Sequence, residues 1–158
     1  MNVVIVGCGR TGAFLAELLD KGGNAVAIVD VDRAGFKRLP ADFKGNPVLG
    51  DGTDMDILRS AGVEQADAFL ALTQGDNRNL MAAQIAKKVF GVKQVIAKVN
   101  DPIRAATYRG QGIYTFSRTT ILGEVGLIYA SQESLVKTVY VQFHAVRLDK
   151  GPGKVIAP

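Results

Sequence analysis

The chain opens on a short apolar, β-branched run, Met1-Asn2-Val3-Val4-Ile5-Val6. It passes at once into Gly7-Cys8-Gly9-Arg10-Thr11-Gly12 and then into Ala13-Phe14-Leu15-Ala16-Glu17-Leu18-Leu19. This order predicts a buried strand, a G-x-G-x-x-G turn and a helix, with no residues between them. Few folds accept that succession, because each glycine has a physical task. Gly7 permits the tight turn off the strand, Gly9 has no Cβ to keep a pyrophosphate from the backbone, and Gly12 lets the helix lie close to the strand. The helix start then offers free N–H groups and a positive dipole end to phosphates. The alternative is a glycine-rich loop with no ligand.

A second landmark agrees with the first. Asn24 to Asp30, Asn-Ala-Val-Ala-Ile-Val-Asp, is another buried-strand pattern, and it ends in a carboxylate. Asp30 lies 18 residues after Gly12, near the roughly 20-residue spacing of an acid that binds a ribose hydroxyl. Such an acid accepts hydrogen bonds from a free 2′-OH and repels a 2′-phosphate. NAD(H) or an adenine nucleotide is therefore expected over NADP(H). Asp32 either shares this role or caps a short helix from Arg33 to Leu39. The cap is preferred for Asp32 and the ribose for Asp30, and Val31 between them joins the candidate set.

Strand and helix patterns alternate through the rest of the chain. Asn46 to Leu49 reads as a third strand, and Gly50-Asp51-Gly52 turns into a helix from Asp54 to Ala61, with Thr53 as its expected N-cap. Gly62 is placed to end that helix. Asp67 to Leu72 reads as strand four, and a polar loop from Thr73 leads to a long helix reaching Phe90, closed by Gly91. Gln94 to Val99 reads as strand five, Pro102 to Arg109 as a helix and Gly112 to Phe116 as strand six. Thr119 to about Leu135 reads as a further apolar helix. The alternation in Thr138 to Leu148 predicts an extra strand or arm. The class is α/β, a Rossmann-like doubly wound parallel sheet in the order 3-2-1-4-5-6. Its ligand is expected where the order reverses, between strands one and four, with Gly7 to Gly12, Asp30, Asp51 and the Thr73 loop around one cleft.

Composition removes several function classes. The chain has 158 residues, enough for one sizeable core, and 47% of them are hydrophobic, so a disordered chain is excluded. No apolar run approaches the length of a membrane span. The N-terminal run lacks the basic start of a signal peptide, so the chain is expected in the cytoplasm. A single cysteine, Cys8, excludes an intrachain disulfide and a cysteine-cluster metal site; it reads as a small loop residue rather than a reactive thiol. No metal site is expected. The net charge of +4 is modest and scattered, without aromatic interleaving, so nucleic acid is not an expected partner.

Four signals in register carry a family resemblance: Gly-Cys-Gly-Arg-Thr-Gly at 7–12, Gly50-Asp51-Gly52-Thr53, Ala66 to Thr73 with Asp76 and Asn79-Leu80, and Val95-Ile96-Ala97-Lys98-Val99. Together they resemble the RCK domain, also called KTN or TrkA-N, over Met1 to Phe116. Such domains are cytoplasmic gating modules of potassium channels and transporters. The resemblance implies a nucleotide-binding domain at 1–117 and a crossover helix with a C-terminal extension at 118–158. It implies NAD(H), ATP, ADP or AMP in the cleft, and a homo-oligomer on the inner face of the cell membrane, held there by a potassium-transport subunit. Carried over singly, Arg10 would meet phosphates, Asp30 would hold the ribose, Asp51 would lie by the adenine and Lys98 near the phosphate end. The full candidate set is Gly7, Cys8, Gly9, Arg10, Thr11, Gly12, Asp30, Val31, Asp32, Asp51, Gly52, Thr53, Thr73 and Lys98. One departure is local: where the family has a Ser-Pro-Glu type segment, this chain reads Phe116-Ser117-Arg118.

The rival reading is an NAD-dependent oxidoreductase. Hydride transfer needs a general acid or base near the nicotinamide. The one histidine, His144, lies in the tail, and none of Tyr108, Tyr114, Tyr129 and Tyr140 is followed four places on by lysine. A sensor without catalysis is therefore expected. The apolar helix from Thr119 exceeds what one face needs, which points to a second subunit.

Overall fold

The computed structural model describes residues 1–131. The expected arm at Thr138 to Leu148 lies outside the described residues, as do Gln132 to Leu135 of the helix expected from Thr119. The chain divides into two compact units, Met1–Arg118 and Thr119–Pro158.

The first unit is built on six strands: β1 (Asn2–Val6), β2 (Ala25–Asp30), β3 (Asn46–Leu49), β4 (Ala68–Ala71), β5 (Gln94–Lys98) and β6 (Tyr114–Phe116). They form one sheet in the order β3-β2-β1-β4-β5-β6, and every pairing is parallel. The order reverses between β1 and β4, as the alternating pattern predicts. β1 and β2 are apolar at nearly every position because both faces of the sheet are covered. On one face Val4, Val6, Val29, Phe69, Val95 and Ala97 form a core with Leu58, Leu80 and Ala83. On the other, Val3, Ile5, Ile28 and Leu70 pack against Ala13 and Ala16. Successive strand residues alternate between the two cores.

The helices are α1 (Arg10–Lys21), α2 (Met55–Ser60), α3 (Asp76–Gln84) and α4 (Pro102–Arg109), with α5 (Arg118–Ser131) leading into the second unit. The segment after β2 is a tight 3₁₀ helix, Arg33–Arg38, capped by Asp32, whose Oδ1 accepts from Ala34 N at 2.9 Å. That agrees with the preferred role of Asp32. Two expectations need correction. Thr53 does not cap α2; Asp54 does, accepting from Asp56 N at 2.8 Å and Ile57 N at 3.3 Å. A carboxylate one residue nearer the helix serves its first N–H groups better than a hydroxyl. The long helix to Phe90 is also not uniform. After Gln84 it widens into a π turn, Ile85–Val89, where Phe90 N bonds to Ile85 O at 3.2 Å. Apolar spacing in this stretch fits either winding. Gly91, at φ 69°, ends the turn.

Among the described residues, no helix is long and apolar enough to cross a membrane. On α5, Ile121, Leu122, Leu127 and Tyr129 are exposed large hydrophobics.

Candidate functional site

The glycine turn is held by steric contacts at two of its three positions. Gly7 has φ 107°, a backbone state that side chains resist. A Cβ there would also sit 3.0 Å from Leu72 C and Thr73 N, the exit of β4. A Cβ on Gly12 would run into the carbonyl oxygen of Gly7, so α1 rests directly on the turn. Gly9 differs, since a Cβ there meets nothing within 4 Å. It is the N-cap of α1 and supplies no side-chain cap. The first N–H groups of α1 are thus not capped by a side chain.

Asp30 joins the turn to the next loop. Its Oδ2 accepts from Cys8 N at 2.5 Å and its Oδ1 from Asp32 N at 2.9 Å. Each oxygen keeps further acceptor capacity for a ribose hydroxyl. The carboxylate therefore shapes the floor as well as facing the ligand. Cys8 is not the tolerated loop residue expected. It is 1% exposed, its thiol reaches Gly35 O at 3.4 Å, and it packs the turn onto the 3₁₀ helix. Burial, and then the negative charge of Asp30, push the thiol up to about 11, with Arg38 opposing. Such a thiol is no nucleophile at neutral pH; the working group at this position is the backbone N–H.

Across the cleft, Asp51 Oδ1 accepts from Thr53 N at 2.9 Å and Thr53 Oγ1 at 2.8 Å. These two bonds hold its carboxyl below the ordinary value, helped by the nearby positive charge of Arg78. Beside it, the loops after β4 and β5 are laced together by a buried asparagine. Asn79 Oδ1 accepts from Thr73 N at 2.8 Å and Thr73 Oγ1 at 2.7 Å. Its Nδ2 donates to Thr73 O at 3.1 Å and Lys98 O at 2.8 Å. Asp76 Oδ2 accepts from Asn100 N at 2.9 Å and Asp101 N at 3.0 Å.

The result is a cleft of about 290 Å³ at the reversal point. Of the expected residues, Gly7, Cys8, Gly9, Asp30, Val31, Asp32, Asp51, Gly52 and Thr73 line it. Arg10, Thr11, Gly12, Thr53 and Lys98 do not. Gly12 lies beneath the turn, Thr53 turns to Asp51, Arg10 and Thr11 are exposed on α1, and Lys98 ends β5 two strands from β1. Gly35, Arg38 and Arg78 line the cleft and were not anticipated, while Gln74 lines it as part of the Thr73 loop. For Arg78 a signal existed: it stands in the first turn of α3, directly after the polar loop already placed at the cleft. Arg38 carried none, because only the compact 3₁₀ winding brings it back. Among the described residues no group of three or more His, Cys, Asp or Glu could hold a metal ion. The arrangement suits a ligand with phosphates, a diol and a flat polar ring.

A family model described as the TrkA-N domain matches residues 3–117. The chain is 48% identical over 115 residues to the Trk system potassium uptake protein TrkA of Streptomyces coelicolor (strain ATCC BAA-471 / A3(2) / M145), a match covering 73% of this chain and 52% of that protein. The chain thus spans about half the length of that relative. Among solved structures it resembles the TrkA-N domain of the inner membrane protein ybaL from Escherichia coli, with a TM-score of 0.71 at 18% identity, covering 80% of this chain and 93% of that one. It also resembles the Shewanella denitrificans Kef CTD in AMP bound form, with a TM-score of 0.70 at 20% identity, covering 94% and 92%. At these identities the two structures speak for the fold alone.

Proposed function

The chain belongs to the TrkA-N domain family, and from that premise we propose that it is the nucleotide-sensing part of a potassium uptake system. It binds NAD(H) or an adenine nucleotide and gates a membrane partner by changing conformation. The observation that carries this reading is the pairing of an open Gly9 with Asp30. The first offers uncapped N–H groups of α1 to phosphates, and the second offers acceptor oxygens to a ribose diol. Asp51, ionised across the neutral range, accepts from an adenine amino group on the far wall. Arg38 and Arg78 stand at the rim as cations for the phosphates or the ring face.

A sensing role is supported over catalysis by the lining, which among the described residues holds no histidine, lysine or tyrosine. Nucleotide binding then acts by favouring one of two arrangements of an assembly. The exposed Ile121, Leu122, Leu127 and Tyr129 on α5 support a homo-oligomer, since soluble monomers rarely leave so much apolar surface on one helix. The chain's relatives support a membrane potassium-transport subunit as the partner and the inner face of the membrane as its place.

Titration calorimetry with NAD(H), NADP(H), ATP, ADP and AMP tests the ligand. Binding of at least one unphosphorylated-ribose ligand, tighter than NADP(H), is expected. Tighter NADP(H) sinks the role of Asp30, and no binding at all sinks the sensor. Pull-down from membranes tests the partner; recovery of no potassium-transport subunit leaves only the nucleotide half standing.

A further inference from the structure

At the end of the sheet away from the cleft, four cations gather. Lys87 and Lys88 sit on the π turn, Lys93 stands just before β5, and Arg109 ends α4. Short contacts draw them around the Gln111-Gly112 turn that leads into β6. Lys87 Nζ donates to Lys93 O at 3.0 Å, and a Cβ on Gly112 would lie 3.6 Å from Lys87 Cε. Lys88 Nζ donates to Gln111 Oε1 at 3.1 Å, and Arg109 O accepts from Gly112 N at 3.0 Å. Lys88, Lys93 and Arg109 are exposed, and Lys87 is half-buried. Among the described residues none of the four forms an ion pair.

Part of this charge has a structural use. The π turn and α4 both end here, and two helix C-termini together offset about one unit of positive charge. Asp67 precedes the Ala68–Gln94 pair and so lies beside Lys93, but its Oδ2 already accepts from Asn2 N at 2.7 Å. Arg59, 5.5 Å from the Phe90 ring, forms a closed set with Asp56 and Glu64. An excess of about two positive charges is left without a partner in the fold.

The acids gather at the other end of the strands. Asp30, Asp32, Asp51, Asp54, Asp76 and Asp101 all stand at or just beyond strand carboxyl ends. The domain is thus polarised along its strands. A broad anionic surface responds to such polarity as a whole, because it repels the acidic end while it attracts the basic one. Three of the four cations are lysines, point charges on long stems that meet phosphates without fixed geometry. Val89, 57% exposed beside Lys88, offers an apolar side chain to the boundary between headgroups and acyl chains.

We propose that the amino end of β5 and β6 is a docking surface for anionic membrane lipid, held by Lys87, Lys88, Lys93 and Arg109. The cleft, at the opposite end of the strands, then faces away from the bilayer and stays open to its ligand. This contact is separate from the nucleotide and from any transport subunit.

Co-sedimentation of the full chain with lipid vesicles tests it. One set is phosphatidylcholine alone and the other carries about 30% phosphatidylglycerol, both in about 0.1 M salt. Binding to the anionic set alone is expected, and it should fade as salt is raised. Lys88→Gln combined with Lys93→Gln and Arg109→Gln leaves the half-buried Lys87 in place. This triple variant should bind about fiftyfold or more weakly, since each cation near such a surface contributes about fivefold. Arg33→Gln combined with Lys37→Gln and Lys44→Gln removes the same charge from the β2–β3 half and should cost less than about threefold. No binding to anionic vesicles, a first triple variant that binds like wild type, or an equal loss in the second each overturn the proposal. Wild type that ignores the vesicles but binds poly-glutamate also overturns it, and gives this end to an acidic protein. Thermal melts that overlay wild type confirm that the variants report binding rather than folding. Calorimetry with the adenine nucleotides on the same proteins reads the cleft independently of the vesicle result.

Discussion

Around β1 and β2 the carboxyl edge of the sheet leaves polar groups facing open space, while around β4 and β5 the same edge is tied to itself. On the first side Gly9 has nothing over it, the start of α1 has no side-chain cap, and Asp30 keeps acceptor capacity. On the second, Asn79 makes four hydrogen bonds to Thr73 and Lys98, and Asp76 takes the N–H groups of Asn100 and Asp101. Both sides are strand ends in one sheet, so both begin with the same orphan backbone groups. They differ in what satisfies them. Where a buried side chain does, the edge is a structural joint. Where none does, a ligand can, and most of the cleft's lining lies there, with Thr73, Gln74 and Arg78 closing it from the other side.

The largest effect should come from cutting the joint. Asn79→Leu keeps the volume but removes all four bonds and leaves Thr73 and Lys98 backbone groups buried without partners. Urea denaturation should show a loss of about 3–5 kcal/mol. A loss under about 1 kcal/mol would mean that this side is not held by Asn79 and that the two halves of the edge do not differ in kind.

A pair of glycine substitutions sharpens the comparison within the open side. Gly12→Ala drives a methyl into the carbonyl of Gly7, where backbone meets backbone and neither can yield cheaply. It should cost about 1–3 kcal/mol by overpacking and lower nucleotide affinity through the displaced helix. Gly9→Ala places its methyl in open space, so thermal stability should stay within about 0.5 kcal/mol. Its nucleotide affinity should nevertheless fall about tenfold or more, because the methyl stands where a phosphate approaches the backbone. Gly9→Ala with wild-type affinity would move the phosphates elsewhere, and both variants equally unstable would erase the distinction.

Much of this architecture is legible in the sequence because it rests on short-range patterns. The β-branched runs at 3–6 and 26–29 announce buried strands, and the spacing from Gly12 to Asp30 follows from one strand–helix–strand unit. Helix limits at Pro102 and Gly62 follow from local backbone chemistry. The errors arose where two residues compete for one task or where tertiary packing decides. Thr53 and Asp54 are both good caps, and only the loop geometry gives the helix to Asp54 and turns Thr53 back to Asp51. The π turn at Ile85–Val89 keeps the apolar spacing of an α-helix. Cys8 looks like a loop residue in sequence, yet the 3₁₀ helix folds over it. The rim arginines, Arg38 and Arg78, are ordinary charged residues until the fold points them at the cleft. Asn79 was read only as part of a family pattern, since four partners spread over Thr73 and Lys98 cannot be inferred from spacing.

The smallest expected effect concerns Asp51, a carboxylate on the open side held by its own loop. Two bonds from Thr53, the backbone N–H and then the hydroxyl, lower its proton affinity. A lowered value in the folded chain contributes stability above the ordinary carboxylate range, and that contribution is lost as pH falls through the folded value. Thr53→Val removes the hydroxyl and keeps the backbone donor, so the Asp51 value should rise part of the way back. The group is largely exposed, so stability at neutral pH should not change measurably. Carboxyl-carbon NMR titration of wild type and variant reads the shift directly. An unchanged Asp51 titration would mean that the Thr53 hydroxyl does not donate to it. Because Asp51 stays ionised in both proteins from about pH 6 to 8, its charge gives nucleotide affinity no step in that range. A step there that Thr53→Val moves would show that the open side is tuned by its own loop rather than left for the ligand, which is the point on which it differs from the laced side.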